Sequence, residues 1–271
     1  MSPKLSAIAA YALEQPEPFI RKTSKEICAE LNTSEPTLIK FCQSFGFSGL
    51  SDFRIDLALA LAQSRNGTRF VEPLTGDRRQ VNQLGKTQIA RCAAQLVAED
   101  SSLLIDNGST AETFAQELGS LPEKTIMTNG IIVAQNVLAH GRHAVMLAGG
   151  RMRPNSMSMT GPMLETCIQQ MRFDTFVMGA ASLHPKFGVS TFHEDEAHAT
   201  RRMMDAAGRV IVLADKTKFL KPALHLICQM KQVDILITDL PQNDPSFTSI
   251  ESQGIHIISA PIAKERADEP A

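Results

Sequence analysis

The sequence predicts an all-α N-terminal unit followed by a C-terminal α/β unit on a mostly parallel sheet. Three observations carry that expectation. Apolar residues in the first 64 positions recur at intervals of three and four, the period of one helix face. Positions 64–79 then become polar and are broken by Gly67, Pro73 and Gly76, the composition of a boundary between domains. Beyond position 100, short apolar runs without internal polar alternation are separated by helix-like stretches, which is how parallel strands buried on both faces read. The expected organisation is a helix-turn-helix unit at 1–64, a linker at 65–80, an α/β unit at 81–260 and a polar, frayed tail at 261–271.

Positions 23–46 read as two short helices joined by a tight turn. Ser24 is expected to cap the first, whose apolar face is Ile27, Cys28 and Leu31. Asn32 and Thr33 make the turn. Ser34 caps the second helix, and Pro36 falls in its first turn, where a missing N–H costs nothing. Leu38, Phe41, Cys42 and Phe45 are expected to be its buried side, and Gly46 stops it. Thr37, Lys40 and Gln43 are left on the outer face, with Ser34 and Glu35 at its start and Lys25 on the helix before. Hydroxyl donors suit phosphates and longer polar side chains suit base edges, so this face fits a DNA major groove. An ordinary helix pair with a solvated face is the plain alternative.

The formal charge of −2 predicts modest non-specific attraction to nucleic acid. Specific binding then relies on local cations such as Lys22, Lys25, Lys40 and Arg54, and on presenting two reading heads at once. A homo-oligomer, dimer or tetramer, on operator DNA of two-fold symmetry is the expected arrangement.

In the second half a helical pattern runs from near Val81 through Ile89, Ala93 and Val97. The expected strands follow at 103–105, 125–127, 144–147, 175–178, 210–213, 235–237 and 255–258. Ligands of such sheets sit beyond the strand C-termini. There the first run opens into Asp106, Asn107, Gly108, Ser109 and Thr110. Glycine lets a ligand approach the backbone, and free N–H groups with the helix dipole favour an anion. A capped turn with no ligand is the alternative. Later runs end in Thr128, Asn129 and Gly130; in Gly149, Gly150 and Arg151; in Gly179; and in Asp215, Lys216, Thr217 and Lys218. Glycine, hydroxyl and cationic residues thus converge on one sheet edge.

At 43% hydrophobic residues the 271-residue chain can bury a substantial core. No apolar run approaches the roughly 20 residues that cross a bilayer, and positions 1–14 lack signal-peptide architecture, so a cytoplasmic location without membrane association is expected. Cys28, Cys42, Cys92, Cys167 and Cys228 form no Cys-x-x-Cys pair, and His184, His193 and His198 lack metalloprotease spacing. No metal and no cofactor are expected. The methionines at 152, 157, 159, 163, 203 and 204 read as adaptable packing.

The run at 33–53, above all Phe41 and Cys42 followed by Gly46, Phe47, Ser48, Gly49, Leu50 and Phe53, resembles the helix-turn-helix domain of the RpiR family of bacterial sugar-catabolism regulators over about 5–62. The motifs at 105–110, 128–130, 147–151, 173–180, 196–197 and 213–219 resemble, in the same order, the effector-sensing domain of DeoR-family regulators over about 80–260. That second resemblance implies a sheet related to ribose-5-phosphate isomerase and glucosamine-6-phosphate deaminase, used to sense phosphorylated sugars. It also implies that Asn107, Gly108, Ser109 and Thr110 hold a phosphate and that Lys218 supplies the matching charge. Asn129, Gly150, Arg151, Asp174 and Glu196 would serve the sugar hydroxyls or the closing wall.

Each half resembles a family that usually carries a different partner domain. Together they imply a repressor of a carbohydrate or polyol catabolic operon, released by a phosphorylated sugar or polyol. The alternative is a phosphosugar isomerase or deaminase-like enzyme. Aldose–ketose isomerisation needs a base within reach of the sugar carbon. The enzymes that the sensor resembles carry an acid just after the third strand, where this chain has Gly149, Gly150, Arg151, Met152 and Arg153.

Overall fold

Local sequence and two separate apolar cores divide the chain into Met1–Val81 and Asn82–Ala271, seen in a computed structural model that describes residues 3–63, 75–219 and 221–260. The expected end of the first domain at 64, most of the linker and the tail at 261–271 lie outside the described residues.

The first unit is helical: α1 (Pro3–Glu14), α2 (Pro16–Arg21), α3 (Ser24–Glu30), α4 (Glu35–Ser44), α5 (Leu50–Gln63) and α6 (Thr75–Gln80). Ile8, Phe19, Ile27, Leu38 and Phe41 fill its core. Phe53 meets Phe19 and Phe41 edge-on, with ring centroids 5.6 and 5.5 Å away. Thr23, rather than Ser24, caps α3. Its side chain accepts from the Glu26 N–H while the Glu26 carboxylate accepts from the Thr23 N–H at 2.7 Å. Glutamate three residues after the cap makes this reciprocal arrangement available to Thr23. Asn32, with φ of 45°, turns the chain, and the Thr33 N–H reaches the Cys28 carbonyl at 2.9 Å. Phe45 departs from the expected buried face: α4 ends at Ser44, so Phe45 is the C-cap and is 51% exposed, edge-on to Phe41.

Helix α6 lies in the stretch read as linker, and a buried ion pair ties it to the unit. Arg54 on α5 is 3% exposed and faces both oxygens of Asp77 at 3.4 Å. It also donates to the Phe19 carbonyl at 3.1 Å and to the Lys22 carbonyl, both at the end of α2. A cation placed there satisfies carbonyls that the helix cannot bond internally. Burial lowers the basicity of the guanidinium and Asp77 opposes that loss. Arg54 is therefore a core group and not a DNA-facing cation. Lys22 likewise is engaged, by Glu30 and by Tyr11 Oη at 3.2 Å. Asp77→Ala should lower the unfolding free energy of this unit by about 3 kcal/mol, because Arg54 would stay buried without its counter-charge. Urea denaturation checks this, and an unchanged midpoint would show that the pair does not anchor α6.

The second unit is built on seven parallel strands in the order β12-β11-β9-β6-β1-β2-β3. In chain order its elements are α7 (Gln83–Leu96), β1 (Ser102–Ile105), α8 (Ser109–Glu117), β2 (Thr125–Thr128), α9 (Ile131–Leu138), β3 (Ala144–Leu147), β4 (Arg151–Arg153), β5 (Ser158–Thr160), α10 (Pro162–Gln169), β6 (Phe173–Gly179), β7 (Ser182–His184), β8 (Gly188–Thr191), α11 (Glu194–Asp205), β9 (Ala207–Leu213), β10 (His225–Cys228), β11 (Ile235–Thr238), α12 (Pro245–Glu251) and β12 (His256–Ser259). The seven expected strands are the seven strands of this sheet.

Burial alternates along each strand and fills both faces. Leu103, Ile105, Val177, Ile211 and Leu213 pack with Ile89, Phe114 and Val133 from α7, α8 and α9. Leu104, Phe176, Met178, Val210 and Val212 pack with Leu164, Ala199 and Met203 from α10 and α11. The chain winds outward from β1 through β2 to β3, then returns to place β6 on the other side of β1. The switch point between β1 and β6 is where ligands of open parallel sheets collect. Outside the main sheet lie the β4–β5 hairpin and the antiparallel sheet β10-β8-β7. At the start of α7, Asn82 donates to Asp239 Oδ2 at 2.8 Å. A Cβ on Gly85 would lie 2.3 Å from that same oxygen, so a larger residue would displace the Asn82–Asp239 pair. No helix among the described residues is long and apolar enough to cross a membrane.

Candidate functional site

In the first unit, helix α4 places Thr37, Lys40 and Gln43 on one face at spacings of three, with Lys40 and Gln43 exposed and Thr37 half-buried. Ser34 Oγ lies 2.9 Å from Thr37 Oγ1 at the start of that helix. Lys25 is exposed on α3. Glu35 is occupied locally, since its carboxylate accepts from Ser24 Oγ and holds the starts of α3 and α4 together. The face thus offers hydroxyls, an amide and two free-standing lysines, a donor set suited to phosphates and base edges.

In the second unit the chain leaves β1 through Asp106, Asn107 and Gly108. Gly108 has φ of +117°, and a Cβ added there would meet nothing within 4 Å, so the turn faces open space. Gly108 is also the N-cap of α8 and supplies no side-chain cap. Its carbonyl accepts from the Glu112 N–H at 2.8 Å, while the first-turn N–H groups at Ser109, Thr110 and Ala111 precede the helix's own bonding pattern. Such an end attracts an anion.

Asn107, Asn129 and Gly130 meet beside this turn. Asn129 Nδ2 lies 3.4 Å from Asn107 Oδ1 and 3.4 Å from the Met159 carbonyl. The β4–β5 hairpin is laid over Asn129 and Gly130 by backbone bonds from the Met159 N–H to Asn129 at 2.8 Å and from the Ile131 N–H to Met157 at 2.9 Å. Gly150 opens that hairpin with φ of +141°. A Cβ there would come within 2.6 Å of the Thr160 carbonyl, which makes glycine a requirement of the hairpin itself.

Glu196 on α11 accepts from Thr191 Oγ1 at 2.6 Å and pairs with Arg153 of the hairpin, both side chains mostly buried. Arg151 is largely exposed and pairs with Asp195. Lys218 lies in the turn after β9, on the same sheet edge but with β6 between β9 and β1, which sets its strand about 10 Å from β1. Its charge faces Asp215. Burial acts to raise the Asp215 carboxyl, but Lys218, the Thr217 hydroxyl and Lys86 outweigh it and hold the group below the usual carboxylate range.

Asp174 belongs elsewhere. Its Oδ2 accepts from the N–H groups of Ser101 and Ser102, each at 2.8 Å, and these bonds with the Ser102 N–H foremost hold its acidity high. It sits at the beginning of β6, and in a parallel sheet that end is opposite the edge where Asn107 and Gly108 emerge. The expectation that Asp174 joins the effector site is overturned.

Asp106, the first residue of the turn, has no role assigned from the sequence pattern. It is 8% exposed, and its Oδ1 has no hydrogen-bond partner among the described residues. Burial pushes its carboxyl up to about 7; Glu196 adds to the rise, while the Asn107 N–H, the Asn129 amide and Arg153 oppose it. An acid directly after a wholly apolar run was the available signal. Because the folded value exceeds the unfolded one, Asp106 favours the folded state least above pH 7, and stability falls as pH rises from about 4 through about 7. Asp106→Asn should therefore gain stability over the parent at pH 8.5 by a few kcal/mol more than at pH 4. Thermal melts at the two pH values check this, and a pH-independent difference would refute the buried titration.

An exposed helical reading face and an α/β unit with an anion-receptive turn at its switch point define a two-unit binding protein of the regulator type. Residues 81–240 match the family described as the DeoR C terminal sensor domain, and residues 1–64 match the helix-turn-helix domain of the rpiR family. The chain belongs to the DeoR family and carries an rpiR-type helix-turn-helix domain. It is 31% identical over 191 residues to a protein named as an aga operon transcriptional repressor in Escherichia coli O157:H7, covering 70% of this chain and 71% of that one. It is 29% identical over 159 residues to the transcriptional repressor AccR of Agrobacterium fabrum, covering 58% and 62%. The glycerol-3-phosphate regulon repressor of Escherichia coli K12 is 27% identical over 165 residues, covering 61% and 66%. Among solved structures, ribose 5 phosphate isomerase A from Neisseria gonorrhoeae overlays with a TM-score of 0.38 at 14% identity, covering 50% of this chain and 52% of that one.

Proposed function

We propose that this chain is a cytoplasmic transcriptional repressor of a carbohydrate or polyol catabolic operon, released when a phosphorylated sugar or polyol binds the second unit. The observation that carries the reading is the uncapped start of α8 behind Gly108, facing open space within a DeoR-type sensor domain. Ser109 and Thr110, with the Asn107–Gly108 turn, hold the phosphate, and Lys218 turns from Asp215 toward it. Asn129, and the wall made by Gly150, Arg151 and Glu196, enclose the remainder of the ligand. Lys25, Lys40, Gln43, Thr37 and Ser34 contact operator DNA, with Glu35 fixing the start of the reading helix. The names of the relatives, repressors of an aga operon and of a glycerol-3-phosphate regulon, support the same reading.

Two heads, at 1–64, joined through 65–80 to sensor units at 81–260, would read a two-fold symmetric operator as a homo-oligomer. Effector binding favours a subunit arrangement that no longer fits the operator, and by linkage the operator weakens effector binding by the same factor. The isomerase alternative draws on one observation, the carboxyl of Asp106 pushed up to about 7. Against it, 149–153 brings glycines and arginines where an acid would be needed.

Selecting sheared genomic DNA on the purified protein, with and without a panel of phosphorylated sugars and polyols, tests the reading. Recovery of one symmetric motif that a single phosphate ester abolishes is the expected result. Failure to enrich any motif, together with turnover of a phosphosugar, would establish the enzyme instead. Lys218→Ala should weaken the releasing ligand at least tenfold while operator affinity stays within twofold, measured by fluorescence anisotropy. Lys40→Ala should do the reverse, and an unchanged operator affinity would remove Lys40 from the contact set.

A further inference from the structure

Asp106 and Asn129 are neighbours by register. β1 and β2 pair in parallel with Ile105 opposite Thr128, so one step further along Asp106 stands opposite Asn129. Asp106 is still in the sheet, since its N–H donates to the Val177 carbonyl at 2.9 Å. Side chains alternate along a strand, and Ile105 belongs to the face covered by α7, α8 and α9. Asp106 therefore shares the opposite face with Leu104, as Asn129 does with Met127. Parallel strands are about 5 Å apart, which sets the two side chains side by side on that face.

Both are buried, at 8% and 2% exposure, and each keeps an acceptor oxygen with no hydrogen-bond partner among the described residues: Asp106 Oδ1 and Asn129 Oδ1. The Asn129 amide nitrogen faces Asn107 Oδ1 and the Met159 carbonyl and also bonds the Asp106 carboxyl, so its oxygen is the atom left over. A native interior leaves few such oxygens unsatisfied, because each costs the desolvation of a polar group. Two adjacent ones, one step before the turn that starts α8, are placed to receive donors from a molecule held at that turn.

We propose that Asp106 and Asn129 form a hydroxyl-reading subsite, which selects phosphate monoesters carrying two neighbouring hydroxyl groups next to the phosphorylated end and rejects esters without them. The inference rests on the phosphate reading of the α8 turn. Two acceptors call for two donors, so carbonyl or ring oxygens are unsuited to these positions, and the fitting class is a polyol phosphate or the polyol-like end of a sugar phosphate. Asp106 retains an acceptor oxygen whether or not it is protonated. A subsite of this kind discriminates strongly, because an ester lacking hydroxyls leaves both oxygens buried and unpaired. Glu196 and Arg153, paired with one another, close the same face and fix the reach of the subsite.

The test is calorimetric titration of the full chain with inorganic phosphate, propyl phosphate, glycerol 3-phosphate and hexitol 6-phosphates. The parent is expected to bind at least one polyol ester tenfold or more tightly than propyl phosphate. Asp106→Ala and Asp106→Leu should remove most of that preference and leave inorganic and propyl phosphate within twofold, and Asp106→Asn, which keeps an acceptor, should restore part of it. Asp106→Leu guards against a variant that fails merely through an empty cavity. A preference that survives in the Ala and Leu variants overturns the subsite, as does an equal loss for every phosphate. A parent that binds propyl and polyol esters alike overturns the subsite while the phosphate reading stands. A parent that binds none of the four overturns the phosphate reading and the subsite with it.

Discussion

A parallel sheet buried on both faces is the constraint on which the second unit depends. Period-two alternation sends Leu103 and Ile105 to one core and Leu104 to the other, so the strands are apolar along most of their length and polar chemistry gathers toward their ends. Parallel connectivity then sorts those ends. Asp106, Asn129, Gly179 and Asp215 all emerge on one edge, whereas Asp174 is committed to the other. The site is thus a product of topology before it is a product of any one motif.

The helical unit meets a different demand. Short helices leave several carbonyls and N–H groups without internal partners, and several polar side chains of this unit serve their ends. Thr23 and Glu26 close the start of α3, Glu35 reaches across to Ser24, and Arg54 closes the end of α2 while holding Asp77. A narrow face of α4, with Lys25 beside it, keeps Lys40 and Gln43 exposed. Residues 1–64 carry no excess positive charge, yet Lys25 and Lys40 stay exposed rather than engaged by the fold among the described residues.

Much of this was legible in the sequence, for physical reasons. The main-sheet strands could be read because double-sided burial produces unbroken apolar runs, and the turn at 106–110 because glycine and hydroxyls follow such a run directly. The β4–β5 hairpin and the strands at 182–191 were not, since they are only three or four residues long and mix serine, methionine and arginine, without a period to detect. Arg54 and Phe45 were misassigned because helical spacing gives a residue's angular position but not the reach of a neighbouring helix end. Asp106 escaped because burial of a carboxyl depends on the sheet covering it, which no local pattern reports.

The start of α7 bears on how such a chain could have arisen. Asn82 and Gly85 pack against Asp239, which lies more than 150 positions later, and a side chain at Gly85 would push that pair apart. A junction placed within α7 would separate Asn82 from its hydrogen-bond partner Asp239, whereas one placed before Asn82 keeps that pair on one side. The rpiR-type and DeoR-type matches meet that seam, so exchanging one head for another at this point would leave the contacts at the start of α7 whole.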